Sequence, residues 1–151
     1  MRTLMKVGAM AAWLLVTVSR VSAVSPADEA AFLDAYRAAF AAKDTAKLAG
    51  FLYTKGADPM AVDFYKSMQT QDAGKPGAVI TLEALTPKDK ADAAKPKDGP
   101  GGPMVLPLVP TKKLLVAITT EDANGKSTST SSCLVAESEG QLVIPVPGRA
   151  K

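Results

Sequence analysis

The chain has 151 residues, of which 18 are basic and 15 are acidic, and it contains no histidine and a single cysteine. This composition excludes an internal disulfide, zinc sites built from Cys and His ligands, and catalysis that relies on a histidine base. We therefore expect no metal ion and no other cofactor.

The first 23 residues have the pattern of a cleavable export signal. Arg2 and Lys6 precede an uncharged apolar run from Val7 to Val18, and Val21-Ser22-Ala23 supplies the small residues before a cleavage site. The run is too short to cross a bilayer, which takes about 20 residues. We expect cleavage after Ala23, a single domain over residues 24–151, no stable membrane insertion, and a location in the periplasm or outside the cell.

The excess of positive charge belongs to this leader. The leader carries Arg2, Lys6 and Arg20 and no acidic residue, so that 15 basic and 15 acidic residues remain in the mature chain. Binding of nucleic acid requires a basic surface. We therefore expect no nucleic-acid partner.

Three helices are predicted at the start of the mature chain. Ser25-Pro26 begins the first, which ends near Ala42; Asp44 caps the second; and Asp58-Pro59 begins the third. Their apolar residues recur at helical spacing, which predicts buried faces. These faces are Phe32, Leu33, Tyr36 and Phe40 in the first helix, Leu48, Phe51 and Leu52 in the second, and Met60, Phe64, Tyr65 and Met68 in the third.

The second half of the chain predicts β-strands. Segments 78–85 and 113–121 are rich in β-branched residues. Pro107 restricts segment 104–109 to an edge strand or an irregular stretch. Segment 87–103, which lies between segments 78–85 and 104–109, combines proline, glycine and mixed charge. This composition predicts a flexible loop inserted between strands.

Two tight turns are predicted at Asn124-Gly125 and Glu139-Gly140. The first turn would pair Leu114 with Val135. Together the turns place one apolar set on a single sheet face: Leu114, Val116, Ile118, Cys133, Val135, Leu142, Ile144 and Val146. Helices followed by such a meander predict an α+β fold, in which three N-terminal helices pack on a curved antiparallel sheet.

The segment from Phe32 to Tyr53, FLDAYRAAFAAKDTAKLAGFLY, resembles the opening of the nuclear transport factor 2-like (SnoaL-like) superfamily. In that family an aromatic-bearing helix ends at an Asp that starts a second helix, as Asp44 does here, with a Leu a few residues on. The resemblance implies a cone-like fold, often with an internal pocket and often dimeric. The third helix and segment 87–103 depart from the family pattern, and no catalytic residue is carried over.

The polar side chains best placed to reach an internal pocket are Tyr36, Tyr53, Asp63, Tyr65 and Glu83. A carboxylate in an apolar pocket can act as a base while a tyrosine donates to an oxyanion. The alternative is that the tyrosines pack in the core and both carboxylates are solvated, which is the usual state of acidic side chains. A cysteine within an apolar set is expected to behave as a small buried hydrophobe.

Three functions remain open at this point. The favoured one is an exported, non-catalytic domain that binds a small apolar ligand or a protein partner of the cell envelope. The second is a small isomerase or hydratase that uses a pocket carboxylate and a tyrosine. The third is a structural module that forms homodimers through Leu115 and Leu134 on the outer face of the sheet.

Overall fold

The structure, a computed structural model, describes residues 23–151, so the predicted leader lies outside the described residues except for Ala23. The helices of this part are α1 (Pro26–Ala41), α2 (Thr45–Gly50), α3 (Pro59–Gln71) and α4 (Pro87–Ala93). The strands are β1 (Leu52–Tyr53), β2 (Ala78–Ala84), β3 (Lys97–Gly99), β4 (Gly102–Val105), β5 (Pro110–Asp122), β6 (Gly125–Ser138), β7 (Gln141–Pro145) and β8 (Gly148–Arg149).

The three predicted N-terminal helices are confirmed, each with its cap, although the second is shorter than expected: it ends at Gly50, and Leu52 begins β1. Ser25 and Asp28 form a capping box, in which the Ser25 hydroxyl accepts from the Asp28 N–H at 3.2 Å. The Asp44 carboxylate accepts from the Lys47 N–H at 3.0 Å and starts α2. The Asp58 carboxylate accepts from the Met60 N–H at 2.9 Å and starts α3. Each cap satisfies an N–H that the helix itself leaves unpaired.

The predicted α+β class is also confirmed. The main sheet has the order β1-β7-β6-β5-β2, and a small second sheet has the order β3-β4-β8. The main sheet is antiparallel except at one edge, where β1 runs parallel to β7 and Leu52 lies opposite Ile144. The expectation of a purely antiparallel sheet is wrong there, because β1, which begins two residues after the end of α2, runs in the same direction as β7.

The first hairpin has the predicted faces but a different register. Its two turn residues are Ala123 and Asn124, so Leu114 lies opposite Cys133 and not Val135. The Asp122 carboxylate accepts from the Asn124 N–H at 2.8 Å, and Gly125 takes the positive φ of +125° that this turn requires. Moving a two-residue turn by one position changes each partner by two residues, which leaves every side chain on its face.

The second hairpin has the predicted turn at Glu139-Gly140, where both residues take positive φ and Ser138 lies opposite Gln141. Most of the predicted apolar set is buried on one face of the sheet. Cys133, at the margin of that core, is half-buried. The predicted buried face is therefore confirmed.

Helix α1 covers this face with aromatic side chains. Phe32 and Tyr36 stack at 6.3 Å between ring centroids, and Phe51 meets the Tyr36 ring at 5.2 Å. Leu48, Leu114 and Ile144 are fully buried beneath them. Aromatic and aliphatic side chains thus form one core cluster between the helices and the sheet.

The prediction of a loop without secondary structure at 87–103 is wrong. Thr86 and Asp89 form a second capping box, which starts α4. Downstream, β4 pairs with β3 on one side and with the C-terminal β8 on the other, and Met104 is buried. The pairing with β8 joins segments more than 40 residues apart, so the local composition could not reveal it.

Candidate ligand-binding groove

The five residues predicted to reach an internal pocket do not converge. Tyr36 is buried on α1, and Tyr53 lies on the edge strand β1. Asp63 faces solvent on α3, and Glu83 faces solvent on β2. Tyr65 is half-buried on α3 and borders a surface groove. No paired carboxylate and tyrosine suited to acid–base catalysis is therefore formed by these five side chains.

A small buried polar cluster does lie between α1, α3 and β6. Gln69 is 4% exposed and, with Tyr36 and Cys133, lines a cavity of about 20 Å³. Its carboxamide lies beside the Tyr36 hydroxyl, but both Nε2 and Oε1 lack a hydrogen-bond partner within the described part of the chain. A cavity of that volume is large enough for about one water molecule, so it is not a site for an organic ligand.

Burial controls the ionisation of this cluster. Desolvation, and to a smaller extent the nearby Cys133 sulfur, raises the pKa of the Tyr36 hydroxyl well above its usual range. The same two causes raise the pKa of Tyr65. Desolvation raises the pKa of the Cys133 thiol to about 12. All three groups are therefore uncharged at neutral pH, which makes Cys133 a poor nucleophile there.

A much larger opening lies between α3 and the β3–β4 hairpin. We call it the α3 groove, and its volume is about 400 Å³. Most of its wall is apolar, formed by Met60, Phe64, Tyr65, Met104, Leu106 and Leu134. Concave, mostly apolar pockets of about 300–1,000 Å³ are typical of small-molecule sites. This groove has the size and the surface of a ligand-binding site.

Two side chains of the α3 groove correct the sequence prediction. Met60 and Phe64 were expected on the buried face of the third helix, yet they are 52% and 64% exposed. The side of α3 that faces the core carries Ala61 and Gln69 instead. Periodicity locates an apolar stripe on a helix, but it does not show whether the stripe meets the core or a groove.

A second groove adjoins the first. We call it the proline-segment groove; its volume is about 530 Å³, and segment 105–111 forms one wall. Ala93 of α4 and Leu106 border both grooves. Val105 is 37% and Val109 is 85% exposed. One feature of the sequence indicates this surface: Pro107 interrupts strand pairing within the apolar segment 104–109.

The rims of the two grooves carry more positive than negative charge. Lys95 and Lys97 border the α3 groove together with Asp98, and Lys90 borders the proline-segment groove. Lys95 lies 3.9 Å from Asp92, at the limit of an ion pair, and its side chain is 72% exposed. None of these lysines was identified from the sequence, because segment 87–103 was expected to be a solvated loop.

Within residues 23–151, no group of three or more Cys, Asp or Glu side chains lies close enough together to hold a metal ion. Over the same residues, no helix combines the length and apolar character needed to traverse a bilayer.

Comparison with known proteins returned no match: no family model, no curated protein and no solved structure is significantly similar to this chain. The resemblance to the nuclear transport factor 2-like superfamily therefore rests on segment 32–53 and on the α+β layout. The candidate site rests on the geometry of the groove.

Proposed function

We propose that this chain is an exported, non-catalytic domain of the nuclear transport factor 2-like type, which binds a small apolar ligand in the α3 groove. The observation that carries the proposal is the exposure of Met60 and Phe64 on the wall of a mostly apolar groove of about 400 Å³. Exposed apolar side chains that share one concavity mark a binding surface far better than scattered ones do.

The catalytic alternative has little support from the geometry. Asp63 and Glu83, the two carboxylates considered for catalysis, face solvent on separate elements. Neither lines the α3 groove. The carboxylate that does border the groove, Asp98, is exposed to solvent at its rim. An isomerase or hydratase would need a carboxylate held in apolar surroundings directly beside its ligand.

The start of the mature chain is compatible with export. The Val24 nitrogen lies 3.5 Å from the Glu137 carboxylate, and the Val24 side chain packs against the core. Cleavage after Ala23 would turn that nitrogen into an ammonium group beside a carboxylate, which is a favourable arrangement. The intact mass of protein from the exported fraction tests the boundary, since a chain that does not begin at Val24 would contradict it.

Ligand binding is tested with Nile red, an uncharged apolar dye whose emission rises in apolar surroundings. The mature protein should bind the dye, and Phe64→Ala should weaken binding about tenfold because a wall of the groove is removed. Val79→Ala is the matched control, since Val79 is 60% exposed but lies on β2, outside the groove. Equal binding by all three proteins would refute the site.

Native mass spectrometry addresses the remaining alternatives. A copurified small molecule that Phe64→Ala loses would support the binding proposal. Leu134, expected on the outer face of the sheet, lines the α3 groove, so Leu115 is the residue that tests an outer-face dimer. The homodimer alternative requires a dimer that Leu115→Lys converts to monomers, and a monomeric wild type would eliminate it. Copurification of an envelope protein would favour a protein partner over a small ligand.

A further inference from the structure

The exposed apolar side chains of the domain are concentrated around the two grooves. Within residues 23–151, the large apolar side chains that remain exposed are Met60, Phe64, Val79, Val105 and Val109. All of these except Val79 line the α3 groove or the proline-segment groove. Contiguous exposed apolar side chains on a folded domain mark a surface that binds an apolar partner.

The two grooves share part of their wall, because Ala93 and Leu106 border both. An extended apolar chain that follows this shared wall would run from the Phe64 side over Leu106 towards Val109. The two volumes, about 400 and about 530 Å³, are each within the range of small-ligand pockets. A long, narrow apolar ligand fits this shape better than a compact one.

Lysine side chains lie beside the apolar floor. Lys97 lies opposite Met104 in the β3–β4 hairpin, and residues directly opposite each other in antiparallel strands share a face. Met104 is buried in the α3 groove, so Lys97 is on the groove side of the hairpin. Lys95 borders the same groove, and Asp98 is the acidic residue that lines it. Asp92 lies 3.9 Å from Lys95, with its side chain turned partly to solvent.

We propose that the joined grooves bind a single-chain amphiphile with an anionic headgroup, such as a fatty acid. The apolar chain lies along Phe64 and Leu106, and the carboxylate accepts charge-assisted hydrogen bonds from Lys95 and Lys97. This inference rests on the proposed function, because it names the ligand class of the same site.

Charge argues against another occupant from this chain. The predicted leader has an apolar run of suitable character, but it carries Arg2, Lys6 and Arg20 and no acidic residue. Those groups would be repelled by the lysines of the rim. A second copy of the domain has 15 basic and 15 acidic residues after the leader, so it offers no excess of negative charge to the rim.

The test compares decanoate with 1-decanol, which has the same chain length and no charge. Each ligand is titrated below its solubility limit against Nile red bound to the mature protein. The Lys95→Gln/Lys97→Gln double variant should lose about 5- to 20-fold in affinity for decanoate at low salt. Its affinity for decanol should be unchanged, and salt should weaken only the decanoate complex. Lys126→Gln is the control, because Lys126 is exposed on the distant β5–β6 turn.

Each outcome distinguishes this inference from the proposed function. If both ligands bind equally and the lysine substitutions have no effect, the anionic headgroup is refuted while the apolar site stands. If neither ligand binds and Nile red is not bound, both proposals fail. If a peptide of residues 2–20 displaces the dye more tightly than decanoate does, or if the grooves become protected on self-association, the amphiphile is refuted in favour of that occupant.

Discussion

Replacement of Gln69 by methionine should stabilise the protein. The Gln69 side chain is 4% exposed, and neither polar atom has a hydrogen-bond partner among the described residues. A buried polar group left unpaired costs about 1–3 kcal/mol. Methionine keeps a similar length and flexibility and removes the amide. The Tyr36 hydroxyl loses a polar neighbour in this variant, which offsets part of the gain. We therefore expect a net increase of about 1–2 kcal/mol in the free energy of unfolding.

The measurement is denaturant unfolding at equilibrium together with the melting temperature. For a domain of this size, the gain corresponds to a rise of about 3–8 °C. Gln71→Met is the matched control on the same helix; Gln71 is exposed, and its replacement should change the free energy of unfolding by less than about 0.5 kcal/mol. A loss of about 1 kcal/mol or more in Gln69→Met would refute the reasoning, because it would mean that the amide is satisfied in the folded protein.

Three further outcomes test the assigned faces and charges. Leu114→Ala should lower the free energy of unfolding by about 3 kcal/mol because Leu114 is fully buried. Leu115→Ala, on the opposite face, should lower it by less than half as much. Equal losses in denaturant unfolding would contradict the assignment of the two faces. Burial raises the pKa of Cys133 to about 12. A thiol reagent at pH 8 should therefore label the native protein slowly and the denatured protein rapidly. Fast labelling of the native protein would show that this thiol is accessible. The Thr86 N–H and hydroxyl, and to a smaller extent Lys113, lower the pKa of Asp89 to about 2. This contribution to stability is present above the unfolded pKa near 3.8 and is lost as the pH falls towards 2. Asp89→Asn should flatten the acid dependence of the melting temperature, and an unchanged slope would show that Asp89 contributes nothing.

Local interactions account for what the sequence predicted well. The caps at Ser25, Asp44 and Asp58 join groups at most three residues apart, so a short window of sequence contains both partners. The period of two in β5 fixed which of its side chains are buried, namely Leu114, Val116 and Ile118. In β6 the burial does not alternate, because Val135 and Ala136 are both buried. The predicted faces of the first hairpin were correct although its register was wrong, because the register error was an even number of residues.

The candidate site could be predicted far less well. Tyr65 was identified, and it does border the α3 groove. Met60 and Phe64 were assigned to the wrong environment, while Lys95, Lys97 and Leu106 were missed. Their roles depend on where the β3–β4 hairpin lies against α3, which no local pattern encodes.

The sequence by itself determined the helix starts, the apolar face of the sheet and the absence of histidine chemistry, because these follow from neighbouring residues and from composition. Only the tertiary structure decided that β1 joins β7 in parallel, that β8 pairs with β4, and that an apolar stripe of α3 borders a groove. Each of these features comes from contact between segments far apart in the chain. Such contacts depend on how complete elements pack together, and local propensity and periodicity do not contain that information.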